Sequence, residues 1–241
     1  MKWWGLLFAL LSLQVTADEV RVAVASNFLS TLKALQPVYE QQSSHRLVIS
    51  SGSTGKLYAQ IVNGAPYDVL LAADSYHPEQ LEQLGHVVPG SRFVYAIGQL
   101  VLWSSEANEP ISQSSLEQYS GRVALANPRT APYGAAAQAV MDKLGVTQQV
   151  KRIKGESVGQ AFQFTATGNV GYGFVAWSQV LNPLNRFNRD YYWKIPESFY
   201  SPLAQEVAAL KQSQNNPSAT VFLEFLKSPD ARKIITSNGY R

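Results

Sequence analysis

The sequence predicts an α/β protein of two lobes, and three observations carry that reading. From Val20 to Gly85, strand-like and helix-like segments alternate, the pattern of a parallel sheet with right-handed crossovers. Removing a leader of 17 residues from the 241 leaves 224, too many for one small core and enough for two lobes of about 100 residues each. A β-rich run at Arg92–Ser104 and another at Leu203–Leu210 read as strands that leave the first lobe and return to it, so the lobes are interleaved. The division expected is lobe I over 18–97 and 205–241, and lobe II over 98–204.

The leader has its own pattern. Met1-Lys2 brings a positive charge, Trp3 to Leu13 is almost continuously apolar, and Val15-Thr16-Ala17 offers small residues for a signal peptidase. The apolar run is shorter than the roughly 20 residues of a spanning helix, so a cleaved signal is expected rather than an uncleaved anchor. The chain has no cysteine, which excludes a lipoprotein signal and leaves a secreted protein held by its core alone. Apolar content of 46% and charged content of 15% are globular values. A net charge of +3, with no more than two Lys/Arg in a row, gives nucleic-acid binding little support.

Along the chain, Val20–Ala25 reads as a buried strand, and Leu29, Leu32, Leu35, Val38 and Tyr39 recur at helical spacing. Leu47–Ser50 is a second strand, followed by helical spacing at Leu57, Ile61 and Val62. Val69–Ala73 is a third strand, and Pro78–Leu84 a short helix ended by Gly85. Beyond the Arg92–Ser104 run, Val123–Ala126 and Val170–Val175 read as strands, and Ala135–Leu144 and Ser157–Phe164 as helices. Asn182–Pro196 reads as an irregular loop rich in aromatics. Val221–Lys227 and Asp230–Ser237 are terminal helices separated by Pro229.

Two strand-to-helix turns share one feature: hydroxyl or amide residues at the end of a strand, directly before a helix. They are Ser26-Asn27 and Ser53-Thr54-Gly55. Ligands of open α/β sheets bind outside the carboxyl ends of the strands. Helix N-termini there offer unpaired N–H groups and about half a positive charge, so two such turns form an anion site without Lys or Arg. The plainer reading is N-capping, which Ser, Thr and Asn also serve. The run Ser51–Lys56 is no nucleotide P-loop, because Ser50 stands where that motif needs glycine and Leu57 where it needs Ser or Thr.

The segments AVASNF (23–28), SSGSTGKLYAQIVNGAPYDVLLAAD (from Ser50 or Ser51 to Asp74), PGSRFVYAIGQLVLWS (89–104), NPRTAPYGAAA (127–137) and ESVGQAF (156–162) occur in order. Together they resemble the periplasmic molybdate-binding protein family, over essentially the whole mature chain. The resemblance implies a hinge-linked, two-lobe type II periplasmic binding protein fold with the ligand in the interlobe cleft. It also implies a periplasmic location, capture of molybdate or tungstate, and delivery to an inner-membrane ABC transporter permease. Carried over by position, the first lobe supplies Ser26, Asn27 and Thr54, with Ser53 nearby; the second supplies Tyr133, and Val158 through its N–H. Tyr133 stands where some members have a small residue, and Ala176 where they have a ligand tyrosine, so one tyrosine is read as replacing another. The implied protein is a monomer with no cofactor, no enzymatic activity, no nucleic-acid partner and no residue ligating a metal cation directly.

The donors named carry no carboxylate, which suits a fully ionised dianion; protonated phosphate needs an acceptor. Sulfate also lacks a proton, so a sulfate- or thiosulfate-binding protein is the main alternative, separated only by cavity size. A sensor subunit passing occupancy to a membrane partner is a second. Tyr191-Tyr192 resembles a ferric-ion pair, but His45, His77 and His86 all lie far away in the sequence. Asp68 and Asp74 read as turn and cap residues. No G-x-S-x-G elbow supports a hydrolase.

Overall fold

The computed structural model describes residues 18–187 and 189–241; the leader read at residues 1–17 lies outside the described residues. The first part of the chain forms β1 (Glu19–Ala25), α1 (Leu29–Ser43), β2 (Arg46–Gly52), α2 (Thr54–Val62), β3 (Val69–Leu71), α3 (Tyr76–Gln83) and β4 (Phe93–Gly98). The middle forms β5 (Leu100–Trp103), α4 (Gln113–Glu117), β6 (Arg122–Ala126), α5 (Pro132–Lys143), β7 (Lys151–Gly155), α6 (Val158–Ala166), β8 (Tyr172–Ala176), α7 (Trp177–Leu181) and β9 (Tyr192–Lys194). The last part forms β10 (Leu203–Ala209), α8 (Pro217–Lys227) and α9 (Pro229–Ser237).

The strands assemble as two five-stranded sheets, ordered β2-β1-β3-β10-β4 and β7-β6-β8-β5-β9. Each has a parallel half, made by β1 with β2 and β3 in one and by β6 with β7 and β8 in the other. Antiparallel strands complete both: β10 between β3 and β4, and β5 between β8 and β9. The chain passes from the first sheet to the second between β4 and β5, across Gln99 alone, and returns ahead of β10.

Period-two burial explains the layers. In β1, Val20, Val22 and Val24 face a core shared with Phe28, Leu32, Tyr39 and Phe222. Ala23 points to the opposite face, against Leu57, Ile61 and Leu81. In β5, Leu100 and Leu102 pack toward Tyr133 and Met141 of α5, and Val101 and Trp103 pack toward Phe162 and Trp177. Both sheets are therefore covered on two sides, and their parallel strands end at the same place, the cleft between the lobes.

The structure differs from the sequence reading at several elements. The run expected at Arg92–Ser104 is two strands in two sheets, because the chain changes lobe at Gln99. The stretch read as an irregular loop over 182–196 contains β9, which pairs with β5 through Tyr192↔Trp103. Strand β7 carries no apolar alternation in the sequence, since Lys151, Arg152 and Lys154 give it the charged pattern of an edge strand. Helices α4 and α7, of five residues each, are too short for periodicity to register. Helix α5 starts at Pro132, a residue preorganised for a first helical position, so Tyr133 lies in a helix turn rather than in the preceding loop.

Phe28 is fully buried beneath the end of β1, edge-on to Tyr95 at 4.7 Å and to Tyr240 at 5.2 Å. Phe28→Ala is expected to cost about 3–5 kcal/mol in urea unfolding; a loss below about 1 kcal/mol would show that this ring is not part of the packed core.

Candidate functional site

Four strand ends, each leading into a helix, meet in the cleft: β1 before α1, β2 before α2, the Asn127–Ala131 loop before α5, and the turn after β7 before α6. Ser26, Asn27, Ser53, Thr54, Tyr133 and Val158 all line one small space there. All six residues expected from the sequence are thus brought together, from segments up to 132 positions apart. The cavity is small, about 10 Å³, roughly the room of one water-sized sphere, and no Lys, Arg, Asp or Glu lines it.

The capping reading of the two hydroxyl turns does not hold. Phe28, not Ser26 or Asn27, occupies the N-cap of α1. Ser53 does occupy the N-cap of α2, but its side chain makes no cap bond. Its hydroxyl is buried and has no partner, although the residue is only 3% exposed. A buried hydroxyl without a partner is costly unless something else satisfies it. Ser157, by contrast, does cap its helix: its side chain accepts from the Gln160 N–H at 3.3 Å.

The remaining donors follow from helix geometry. Thr54 and Val158 are the first residues of α2 and α6, and Tyr133 the second of α5. The first N–H groups of a helix have no intrahelical acceptor. Among the described residues, the N–H groups of Asn27, Thr54, Tyr133 and Val158 have no acceptor in the protein. Two hydroxyls are oriented by the bonds they accept. Thr54 Oγ1 accepts from the Ala73 N–H at 3.0 Å, and Ser26 Oγ from the Gly159 N–H at 3.2 Å. Each keeps its own proton to donate. The arrangement is a ring of neutral donors around a space without a cation.

Tyr133 is 2% exposed, and burial pushes its phenol well above the usual value near 10. The neighbouring Tyr240, Tyr200 and Tyr95 hydroxyls act in the same direction, against a hydrogen bond from Gln205. It is therefore a neutral donor at physiological pH. Asn27 is pinned around its own backbone: its carbonyl accepts from Tyr240 at 2.8 Å and Ser178 at 3.0 Å. Its side-chain amide donates to Gln205 at 2.9 Å and to Tyr240 at 3.1 Å. Both amide protons are committed, so only the main-chain N–H of Asn27 is left for the cleft.

The two lobes are closed on each other. The Gly55 N–H donates to the Thr130 carbonyl at 2.9 Å, and a Cβ at Gly55 would lie only 2.9 Å from that oxygen. Lys56 and Glu156 pair across the lips of the cleft; both are exposed, so this pair adds little. The sequence reading did not single out Gly159, Ser178 or Gln205. Gln205 had a visible signal, an uncharged polar residue inside the apolar strand LAQEVAA. The residues left aside earlier have local roles: Asp68 accepts from the Arg21 N–H at 2.7 Å, Asp74 from the His77 N–H at 3.1 Å. Tyr192 packs on Trp177, ring centroids 4.3 Å apart, and Ala176 is buried with its N–H bonded to Gln179.

The chain matches the bacterial extracellular solute-binding protein family over residues 20–241. It is 42% identical over 235 residues to the molybdate-binding protein ModA of Azotobacter vinelandii, covering 96% of this chain and 93% of that one. It is 40% identical to the molybdate-binding protein ModA of Rhodobacter capsulatus, covering 95% and 91%. The structure of the Azotobacter vinelandii periplasmic molybdate-binding protein superposes with a TM-score of 0.85 at 39% identity, covering 92% of this chain and 98% of that one.

The phenols of Tyr95, Tyr133 and Tyr240 are all raised, burial being the largest cause in each. A group whose folded value is raised stabilises the fold fully below its unfolded value and loses that contribution as pH climbs past it. Stability is therefore expected to fall above about pH 10, with these three tyrosines ionising only as the protein unfolds. Tyrosinate absorbance and circular dichroism recorded together test this; complete ionisation with the fold intact would refute it.

Proposed function

Because this chain belongs to the bacterial extracellular solute-binding protein family, in the company of the molybdate-binding proteins, we propose that it binds a tetrahedral oxyanion dianion, molybdate or tungstate, in the cleft. It works in the periplasm and hands the ion to an inner-membrane ABC permease, binding without chemical turnover. The observation that carries this reading is the ring of unpaired donors: the N–H groups of Asn27, Thr54, Tyr133 and Val158 with the hydroxyls of Ser26, Ser53, Thr54 and Tyr133.

The physics of such a ring selects its ligand class. A hydrogen bond to a charged group contributes about 1.5–3 kcal/mol, and the first residues of α2, α5 and α6 line the same space with the positive ends of their helices. A fully ionised oxyanion has only acceptors and matches this set. A monoprotonated phosphate brings a proton, and no carboxylate lines the space to receive it. Sulfate matches in charge, so cavity size decides between it and the larger molybdate. Lobe I and lobe II each supply part of the ring, so the ion bridges them and favours the closed arrangement. In this reading lobe I spans 18–98 and 203–241 and lobe II 99–202, one or two residues from the division expected at 97/98 and 204/205, because Gly98 and Leu203 pair in the first sheet.

Calorimetric titration with molybdate, tungstate, sulfate and phosphate at neutral pH tests the reading. One-to-one binding of the first two, with the last two silent, is the expected result. Sulfate binding alone would keep the donor ring and change the transported ion, and silence toward all four would reject it. Tyr133→Phe should weaken molybdate binding tenfold or more with little change in unfolding, and unchanged affinity would remove that hydroxyl from the ring. Ser26→Asp should abolish binding by placing a negative charge against the dianion; a variant that still binds would put the site elsewhere.

A further inference from the structure

Gln205 touches none of the space where the ion is proposed to sit, yet it joins the two residues that reach it from opposite lobes. It is fully buried on β10, at the point where the pairing of β10 with β4 slips between Gln205 and Glu206. Ala96 lies opposite Gln205 and Val94 opposite Glu206, so Tyr95 is the extra residue of a β-bulge. Bulges re-aim side chains, and here the Tyr95 hydroxyl shares its one proton between Gln205 Oε1 at 3.0 Å and the Ala72 carbonyl at 3.1 Å. The same oxygen accepts from Asn27 Nδ2 at 2.9 Å, and Gln205 Nε2 donates to the Tyr133 hydroxyl at 3.3 Å.

The direction of these bonds matters more than their number. Main-chain carbonyls have only one polarity, and the carbonyl of Asn27 accepts from the Tyr240 hydroxyl. The Tyr240 oxygen is then left to accept from Asn27 Nδ2. That sets the Asn27 amide as a donor, which makes the facing atom of Gln205 its oxygen and turns its NH₂ toward Tyr133. A hydroxyl that accepts from Gln205 has its own proton free, and among the described residues no acceptor takes it. Reversing the Gln205 amide would draw that proton inward and leave the ring one donor short. Gly98, at the crossing from β4, covers this bond so closely that a Cβ there would overlap both the Tyr133 hydroxyl and the Gln205 amide.

We infer that Gln205 is a positioning residue for oxyanion binding, which turns the Tyr133 hydroxyl proton into the cleft while holding Asn27 so that its N–H faces the same point. This rests on the oxyanion reading of the site. It makes a hinge-strand side chain part of the device that couples lobe closure to ligand affinity.

The test is a double-mutant cycle read by calorimetry with molybdate, on the mature chain, alongside thermal unfolding of each ligand-free variant. Gln205→Met, which removes both the donor and the acceptor, is expected to weaken binding about tenfold in the otherwise unchanged protein. In the Tyr133→Phe background the same change should weaken it clearly less, because part of its effect acts through a hydroxyl no longer there. Gln205→Glu provides a second variant of the same shape, which keeps an acceptor for Asn27 and Tyr95 and reverses the bond to Tyr133. It too should lose affinity, and less so in the Tyr133→Phe background; simple charge repulsion would act equally in both. Unchanged affinity in either folded single variant, or equal losses in both backgrounds, would overturn the role of Gln205. Failure of the unmodified protein to bind any oxyanion would instead overturn the reading of the site, and this inference with it.

Discussion

Asn27 sits where β1 ends, and its surroundings decide what the cleft can do. Its carbonyl is held by Tyr240 and Ser178, and its side-chain amide by Gln205 and Tyr240. Tyr240 comes from the C-terminal end of the chain, Ser178 from α7 and Gln205 from the strand that returns from the second lobe. A turn fastened from these three directions cannot rotate its N–H away to find an internal acceptor. The other vacant donors depend on comparable restraint: Thr54 through its hydroxyl bond to the Ala73 N–H, Ser26 through the N–H of Gly159. Unpaired buried donors are expensive, so a site made of them persists only where the surrounding structure over-determines their positions.

This explains why the site needs two sheets. A single parallel sheet ends in helix starts that point the same way, which holds an anion from one side. Two sheets whose strand ends face each other surround it. The antiparallel members, β10 and β5, are what makes this possible, because they carry the chain between the lobes and still complete a sheet in each. The short crossing at Gln99, with Gly98 covering the Tyr133–Gln205 bond, brings the hinge into contact with the site rather than leaving it as a remote connection.

Neutral donors also explain how such a cleft discriminates. Lysine or arginine at the site would attract any anion, and a carboxylate would welcome a protonated one. A ring of N–H and O–H groups favours an ion that is acceptor on all sides, and rigidity then turns its size into selectivity. The buried tyrosines contribute because burial raises their phenols, so that the donor at Tyr133 stays protonated wherever the fold is stable.

Much of this was legible in the sequence. The alternation of Val20, Val22 and Val24 with Ala23, the helical spacing after Asn27 and the small-residue turn at Ser53-Thr54-Gly55 determine a parallel α/β lobe with polar turns at its strand ends, because such patterns are local and follow the period of the backbone. The order of motifs also named the six residues that meet in the cleft. Tertiary structure alone decided the rest. It split the Arg92–Ser104 run between two sheets, since no local signal marks a change of lobe. It made a strand of charged Lys151–Gly155, which pairs at an edge where apolar pattern is not required. It showed that Ser53 leaves its hydroxyl unpaired instead of capping, and that both amide protons of Asn27 are committed to Gln205 and Tyr240. Those outcomes depend on partners as distant as Gln205 and Tyr240, and hydrogen-bond direction between distant residues is settled only when the chain has brought them together.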